Sequence, residues 1–293
     1  MWPEIRSERY MSTLDKLKRL FTVGKANPTT TLPSEAGEQM SFVCNVCGSG
    51  NDDALVAEIQ DREFPSCRRC RSSLRMRTIV HALSTRLFGE SMPLEQFPKD
   101  KSLHGLGLSD WEGYAERLAQ KFSYQNTYLH APPRFDICEE VPASWINKFD
   151  FVVSSEVFEH IPLYKLDAAF GNCRRLLKAH GLLVLTVPFV RDLEKTVEHY
   201  PNLFNFEIVS KHGSPIIRNI TADGAEELFD NPVFHGGDGT TLEMRTFSEG
   251  DLRSHLVASG FSTIRSHGED VLRFGIIWPA QSAAPLTAIA LTR

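Results

Sequence analysis

The stretch Phe149-Asp150-Phe151-Val152-Val153-Ser154-Ser155-Glu156-Val157-Phe158-Glu159-His160-Ile161-Pro162 decides how the rest of the chain is read. Its opening, FDFVVS, is a short apolar run bounded by polar residues, the pattern of a central strand in a sheet. Leu163 to Leu177 follows as a helix, closing on basic Arg174, Arg175 and Lys178 with Gly181 beyond, a common C-terminal signature. Leu182 to Val187, LLVLTV, is another buried strand, stopped by Pro188. Strand, helix and strand in this order predict a mostly parallel sheet covered by helices.

The same alternation continues in both directions. Upstream, Ser102 to Leu106 reads as a strand, Trp111 to Phe122 as a helix and Asn126 to Leu129 as a strand. Between the first two lies Leu103-His104-Gly105-Leu106-Gly107-Leu108-Ser109-Asp110, a glycine-bearing bend expected to bring a ligand close to the backbone at a helix N-terminus. No lysine follows in the P-loop manner. A nicotinamide-type Rossmann domain would want a third glycine and an acid after the next strand, where the chain has Tyr128-Leu129-His130-Ala131-Pro132-Pro133. Downstream, Glu249 to Ser259 is a helix, and Val271 to Ile277 and Leu286 to Leu291 are strands. With no crossover helix between them, these two strands must pair antiparallel. Pro188 to Arg245 breaks the rhythm with His199-Tyr200-Pro201 and the turn-rich His235-Gly236-Gly237-Asp238-Gly239, and reads as an insertion over the sheet's C-terminal edge.

Ahead of the sheet lie two knuckles, Cys44-Asn45-Val46-Cys47 and Cys67-Arg68-Arg69-Cys70. Two residues between cysteines let both thiolates face one ion, and two knuckles supply the four soft ligands of tetrahedral zinc. The 19 residues between Cys47 and Cys67 suffice for a hairpin and a return strand. Four protein ligands leave no open position, so the expected role is structural; a redox dithiol pair or an iron site has the same spacing. Cys138 and Cys173 stand singly and read as ordinary half-buried cysteines. The expected boundaries are 1–38 for an N-terminal helix and linker, 39–98 for a zinc-ribbon-like module with the helix Leu74 to Phe88, and 99–293 for the α/β domain with its insertion at about 189–246.

A chain of 293 residues with 42% hydrophobic and 24% charged residues has the composition of a globular protein rather than a disordered one. No run is long enough to span a bilayer and no secretory signal is evident, so a cytoplasmic location is expected. A formal charge of −5 gives no global attraction to nucleic acid. Two local basic groups remain, one in the first 25 residues and one formed by Arg62, Arg68, Arg69, Arg71, Arg75, Arg77 and Arg86 around the second knuckle. Each reads as a solvated face or as a nucleic-acid face. Residues 4 to 24 read as an amphipathic helix able to dock on its own protein, a partner subunit or a membrane surface; a homo-oligomer is left open.

Taken together, Gly105-Leu-Gly-Leu-Ser109, Phe135-Asp-Ile137, FDFVVSSEVFEHIP from Phe149 to Pro162 and CRRLLKAHGLLVLTVP from Cys173 to Pro188 resemble the class I S-adenosylmethionine-dependent methyltransferases. The resemblance is closest to bacterial proteins with a two-knuckle zinc ribbon before the catalytic domain, often linked to the decoration of glycans or small natural products. It implies a seven-stranded Rossmann-like sheet with an antiparallel last strand and S-adenosyl-L-methionine across the strand ends. It also implies cofactor contacts from Gly105, Gly107, Ser109, Asp136, Ser154 and Ser155. The chain departs from the family at Leu103, where an acid is usual, and after the second strand, where His130 is the nearest substitute for the ribose-binding acid.

Methyl transfer from a sulfonium needs alignment first, and for a hydroxyl or amine acceptor a base that takes the proton. His160 and His199 are the candidate bases, with Glu156 and Glu159 as orienting carboxylates; His160 serves equally as a helix-cap or core hydrogen-bonding residue. His235, Asp192 and Glu194 are weaker candidates. The expected acceptor is a small molecule or saccharide. RNA or DNA methylation and an inactive methyltransferase-fold scaffold are the alternatives.

Overall fold

A computed structural model describes residues 37–211, 213–235, 241–279 and 284–290. The N-terminal helix expected over residues 4 to 24 lies outside them. Met1–Glu35 and Ala36–Arg293 are separate units, and the described residues belong to the second. Among the described residues no helix is long and apolar enough to cross a membrane.

The unit opens with a hairpin, β1 (Gln39–Val43) and β2 (Gly50–Leu55), and a short helix, α1 (Val56–Gln60); the long helix α2 (Leu74–Phe88) comes next. The alternation expected from the sequence then appears. It runs β3 (His104–Leu108), α3 (Glu112–Lys121), β4 (Ser123–Thr127), β5 (Phe149–Ser155), α4 (Leu163–Leu176) and β6 (Leu177–Thr186). β3 pairs in parallel with β4 and with β5, and β5 with β6.

The insertion is built from short strands: β7 (Phe189–Val190), β8 (Val197–Glu198), β9 (Asn205–Lys211), β10 (Ser214–Ile220), β11 (Glu226–Asp230), β12 (Phe234–His235) and β13 (Thr241–Leu242). β9, β10 and β11 form an antiparallel meander. β14 (Arg245–Ser248) lies between β7 and β8 and leads through α5 (Glu249–Ala258) back to the main sheet, which ends with β15 (Phe261–Ser266) and β16 (Leu286–Ala290).

The main sheet has the order β15-β16-β6-β5-β3-β4, with β16 antiparallel to both neighbours. Six strands are present among the described residues where seven were expected. The missing third strand falls in residues 128–148, which join β4 to β5 with one isolated bridge between Tyr128 and Arg134. Pro132 and Pro133 interrupt this segment, and neither has an N–H to give a ladder. Val271 to Ile277 is likewise not a strand: Leu272–Phe274 is a 3-10 turn closed by Gly275 in the left-handed region (φ 60°). The antiparallel partner of the last strand is β15 instead.

Two apolar layers cover the sheet. On one face Leu166, Ala169, Phe170 and Cys173 of α4 and Leu252 and Leu256 of α5 pack on Leu106, Val152, Leu183 and Ala288. Cys173 is fully buried there rather than half-buried. On the other face Tyr114 and Leu118 of α3 and Ile79, Val80 and Leu83 of α2 pack on Phe151, Val153 and Val184, and Cys44 and Cys67 belong to the same cluster. The cysteine module thus shares its core with the sheet.

The expected glycine bend is a strand instead. Gly105 and Gly107 lie inside β3, and the bend comes later, at Ser109 (φ 56°). A Cβ at Gly105 would run into the rings of Phe151 and Tyr124, and one at Gly107 into the Tyr124 hydroxyl and, at 2.6 Å, into Asn126 Oδ1 and Asp110 Oδ2. These glycines make room for the protein's own rings. Gly107→Ala is therefore expected to destabilise the fold by about 1–3 kcal/mol through overpacking. Gly171→Ala is the control, since a Cβ at this position in α4 meets nothing within 4 Å; it should stabilise by about 0.5–1 kcal/mol. Urea unfolding followed by circular dichroism measures both.

Candidate functional site

In an open parallel sheet a ligand crevice forms beyond the strand C-termini where the connections diverge. Here the chain leaves β3 toward β4 on one side and β5 toward β6 on the other, so the crevice lies between the ends of β3 and β5. Each of these strands ends in a left-handed, non-glycine residue: Ser109 (φ 56°) after β3 and Glu156 (φ 56°) after β5. Such conformations cost free energy and concentrate at functional sites.

Glu156 receives both terminal nitrogens of Arg62, at 2.6 and 2.8 Å, in a bidentate pair whose side chains are only 17% (Arg62) and 10% (Glu156) exposed. Arg75, from α2, donates to Ser155 Oγ, which lies 3.0 Å from Thr186 Oγ1 at the end of β6. Glu63 accepts from both arginines, at 2.6 and 2.7 Å in the case of Arg75. Burial alone would raise the pKa of Glu156, but the charges of Arg62 and then Arg75 overcome it and hold the carboxyl well below the usual carboxylate range.

Beneath this clamp sits Asp110, buried just past β3. Tyr114 donates to its Oδ1 at 2.8 Å and Tyr124 to its Oδ2, while its backbone N–H donates to Asn126 Oδ1 at 3.0 Å. Burial pushes the carboxyl up from its ordinary 3.8 to about 7, against the pull of the two tyrosine hydroxyls.

Of the four candidate catalytic residues Glu156 belongs to the clamp, and Glu159, His160 and His199 lie around the turn that follows β5. Glu159 and His160 lie on a 3-10 turn just after β5, with His160 Nε2 3.6 Å from Glu159 Oε1. Glu159 is fully buried, and burial followed by the charge of Glu156 lifts its pKa well above normal. The insertion closes over this turn: Met244 N–H donates to the Glu159 carbonyl at 2.8 Å, and His160 Nδ1 lies 2.8 Å from the Leu242 carbonyl. His199 is buried nearby, its Nε2 3.4 Å from both Glu243 Oε1 and Thr246 Oγ1.

Among the expected cofactor residues, Ser154, Ser155 and Ser109 do lie at the rim, Ser154 with a buried Oγ lacking a hydrogen-bond partner among the described residues. Asp136 caps its own turn through a bond from the Cys138 N–H, and His130 is exposed in the proline loop. Gly105 and Gly107 are covered by the rings of Phe151 and Tyr124. The rim of the crevice is occupied by the chain's own paired side chains. Arg62 and Arg75 line its β5 side and Tyr124 and Asp110 its β3 side; residues 128–133, which leave β4, carry no acid for a ribose, and the carboxylate beside them is Glu112, which accepts from the Tyr128 hydroxyl.

The sequence reading missed this clamp. Arg62, Arg75 and Arg77 looked like part of a solvated or nucleic-acid face, yet Arg77 is fully buried and donates to the Ser72 and Gly275 carbonyls. Helical periodicity held one clue: Arg77 recurs among the apolar residues Leu74, Ile79 and Val80 of α2.

The four knuckle thiols form a second cluster. Their sulfurs all lie within 4.8 Å of one another, with Cys44–Cys70 at 3.6 Å and Cys47–Cys67 at 3.7 Å. The edge of a tetrahedral ZnS4 unit, built from bonds of about 2.3 Å, is about 3.8 Å, so the donor set fits a metal ion of that size. Asn51 Nδ2 points at Cys67 Sγ from 3.7 Å and Asn51 Oδ1 accepts from the Arg68 N–H, an outer layer that fixes the knuckle.

Residues 115–185 match the family model described as a methyltransferase domain. No curated protein matches the chain. Among solved structures, the CurJ carbon methyltransferase is 14% identical over 73% of this chain and 54% of its own length, at a TM-score of 0.43. This chain thus spans about half the length of that relative. The amino pentose methyltransferase CalS10 from Micromonospora echinaspora is 13% identical over 75% of this chain and 93% of its own, at a TM-score of 0.41. The 1,6-didemethyltoxoflavin-N1-methyltransferase from Burkholderia thailandensis is 16% identical over 73% of this chain and 79% of its own, at a TM-score of 0.38. At these scores the likenesses decide nothing about cofactor or acceptor.

Asp110 gives the crevice a pH signature. Its pKa is near 4 in the unfolded chain and about 7 in the fold, so its stabilising contribution is complete below about pH 4 and is lost as pH rises through 7. Urea unfolding of the wild type at pH 5 and pH 8 should show this loss. Asp110→Asn should flatten the profile over that interval; an unchanged profile would place the titration elsewhere.

Proposed function

We propose that this chain transfers a methyl group from S-adenosylmethionine to a hydroxyl or amine of a small molecule or saccharide. The observation that supports the reading is where the methyltransferase-domain match falls. Residues 115–185 take in β4, β5, α4 and most of β6, and include Ser155, Glu156, Glu159 and His160 on the crevice rim. S-adenosylmethionine supplies an activated methyl group when bound; the protein has to hold the acceptor and remove its proton. His160 suits the second task. Its Nδ1 faces a backbone carbonyl, which can only accept, so Nδ1 carries the hydrogen and Nε2 is left as the basic nitrogen. His199, with Glu243 at 3.4 Å, is the second candidate base.

The filled crevice makes opening of the clamp part of this proposal: Arg62 and Arg75 must leave Glu156 and Ser155 before a nucleoside enters. Calorimetry with S-adenosylmethionine and its demethylated product tests it. Arg62→Ala/Arg75→Ala/Glu156→Gln, which opens the clamp without stranding the Glu156 charge, is expected to bind either compound at least about tenfold more tightly than the wild type, the affinity gained when a closed state no longer competes. The closed crevice and the lack of an acid in residues 128–133 favour a second reading, a methyltransferase fold serving as a binding scaffold. Absence of heat at millimolar cofactor in both the wild type and the variant would select the scaffold.

We further propose that the four knuckle cysteines hold zinc in a structural role. Their burial against Phe42, Ile79 and Val80 makes the metal part of the core. Removing it with a chelator should lower the melting temperature and release one zinc per chain from this cluster, and Cys67→Ser should reproduce the effect. Unchanged melting after complete zinc removal would sink the structural role.

A further inference from the structure

A further cluster of ligand atoms uses none of the residues of the crevice or the knuckles. His81 on α2 and His267 and Glu269 just after β15 bring one nitrogen each and a carboxylate oxygen within 4.8 Å of one another. His81 Nε2 is 3.5 Å and His267 Nδ1 3.7 Å from the same Glu269 Oε1. Metal–nitrogen and metal–oxygen bonds of about 2.0–2.1 Å in a tetrahedral site put neighbouring donors about 3.3–3.4 Å apart. The two histidine–Glu269 edges therefore need only a few tenths of an ångström of contraction, and the edge between the histidine nitrogens, which is within 4.8 Å, closes by rotation of the rings.

The outward nitrogen of each ring is already engaged. His81 Nδ1 meets Ser91 Oγ at 2.7 Å, and His267 Nε2 meets Thr287 Oγ1 at 2.9 Å on β16. When each outward nitrogen donates to its hydroxyl, the inward one presents a lone pair toward Glu269. Orienting partners of this kind are what metal-bound histidines ordinarily have. His81 is 5% and His267 0% exposed, and His267 Nδ1 has no hydrogen-bond partner among the described residues. A buried imidazole nitrogen without a hydrogen bond calls for an explanation. Glu269, by contrast, is partly exposed, so an ion can reach the group from solvent.

We propose that His81, His267 and Glu269 form a binding site for a divalent transition metal ion of the zinc type, separate from the four cysteines. Two imidazoles and one carboxylate are the three-ligand set of open zinc sites, in which the fourth position takes water or an exchangeable ligand. Arg265 holds Glu269 Oε1 at 2.8 Å and is half exposed, so it can turn into solvent when the ion arrives. The positive charges of Arg265, Arg273 and Arg86 act on these histidines, so the site binds its ion more weakly than four thiolates do.

Cobalt(II) titration of the untagged, metal-stripped full chain tests this, read by metal analysis after gel filtration and by the visible spectrum. Two ions per chain are expected. The first gives the sulfur-to-cobalt band of the knuckles, and the second binds more weakly without adding to that band. Glu269→Gln, at a partly exposed position, should keep the first ion and lose the second. Thr287→Val should weaken the second about 10–100-fold through loss of its orienting bond. A wild type that stops at one ion, or a second ion bound equally well by Glu269→Gln, overturns the proposal.

Discussion

Arg62 and Glu156 have left water largely together, and much of the molecule's arrangement depends on where they meet. Their fork-to-fork pairing spans the step from the cysteine module to the end of β5. A pair of this kind contributes little net stability over apolar residues of the same shape, because desolvation offsets most of the attraction. It does fix position, since stranding either charge in this place would be expensive. The knuckles, hairpin and α2 are thereby held over the sheet in one register. Arg75 reinforces this through Ser155, as does Arg77 through the Gly275 carbonyl.

The same contacts account for the state of the crevice. A switch point in a doubly wound sheet ordinarily offers free amides and empty space. Here it holds two guanidinium groups, a buried carboxyl ringed by tyrosines and glycines backed by aromatic rings. The domain match and the closed rim are compatible if the side chains seen here form one of two states. Polar groups paired this closely have few intermediate positions, and such networks can exchange as a unit. The turn carrying Glu159 and His160 would feel that exchange directly, because the charge of Glu156 acts on Glu159.

How much could be read from the sequence varied with the kind of information involved. FDFVVS and LLVLTV were legible as buried strands because continuous apolar runs have few other uses, and the helix between them because its charged end matches its dipole. The paired cysteines were legible because local spacing alone brings two thiolates together. The glycine segment misled because glycine is used both for turns and for close packing; only the positions of Tyr124 and Phe151 show which applies. Val271 to Ile277 misled because an apolar run too short to be assigned by periodicity was read as a strand.

Residue order alone thus settled what depends on neighbours along the chain: the alternation of strands and helices, the parallel sheet they imply and the cysteine cluster. The fate of the charged residues was settled by the packed fold. Arg62 and Glu156 are 94 positions apart, and His81 and Glu269 are 188 apart. An arginine's preference for water is the same in every sequence, and it is overridden only when folding delivers a partner carboxylate or carbonyl to the place where it is buried. That delivery is set by how the layers pack, which no local pattern encodes.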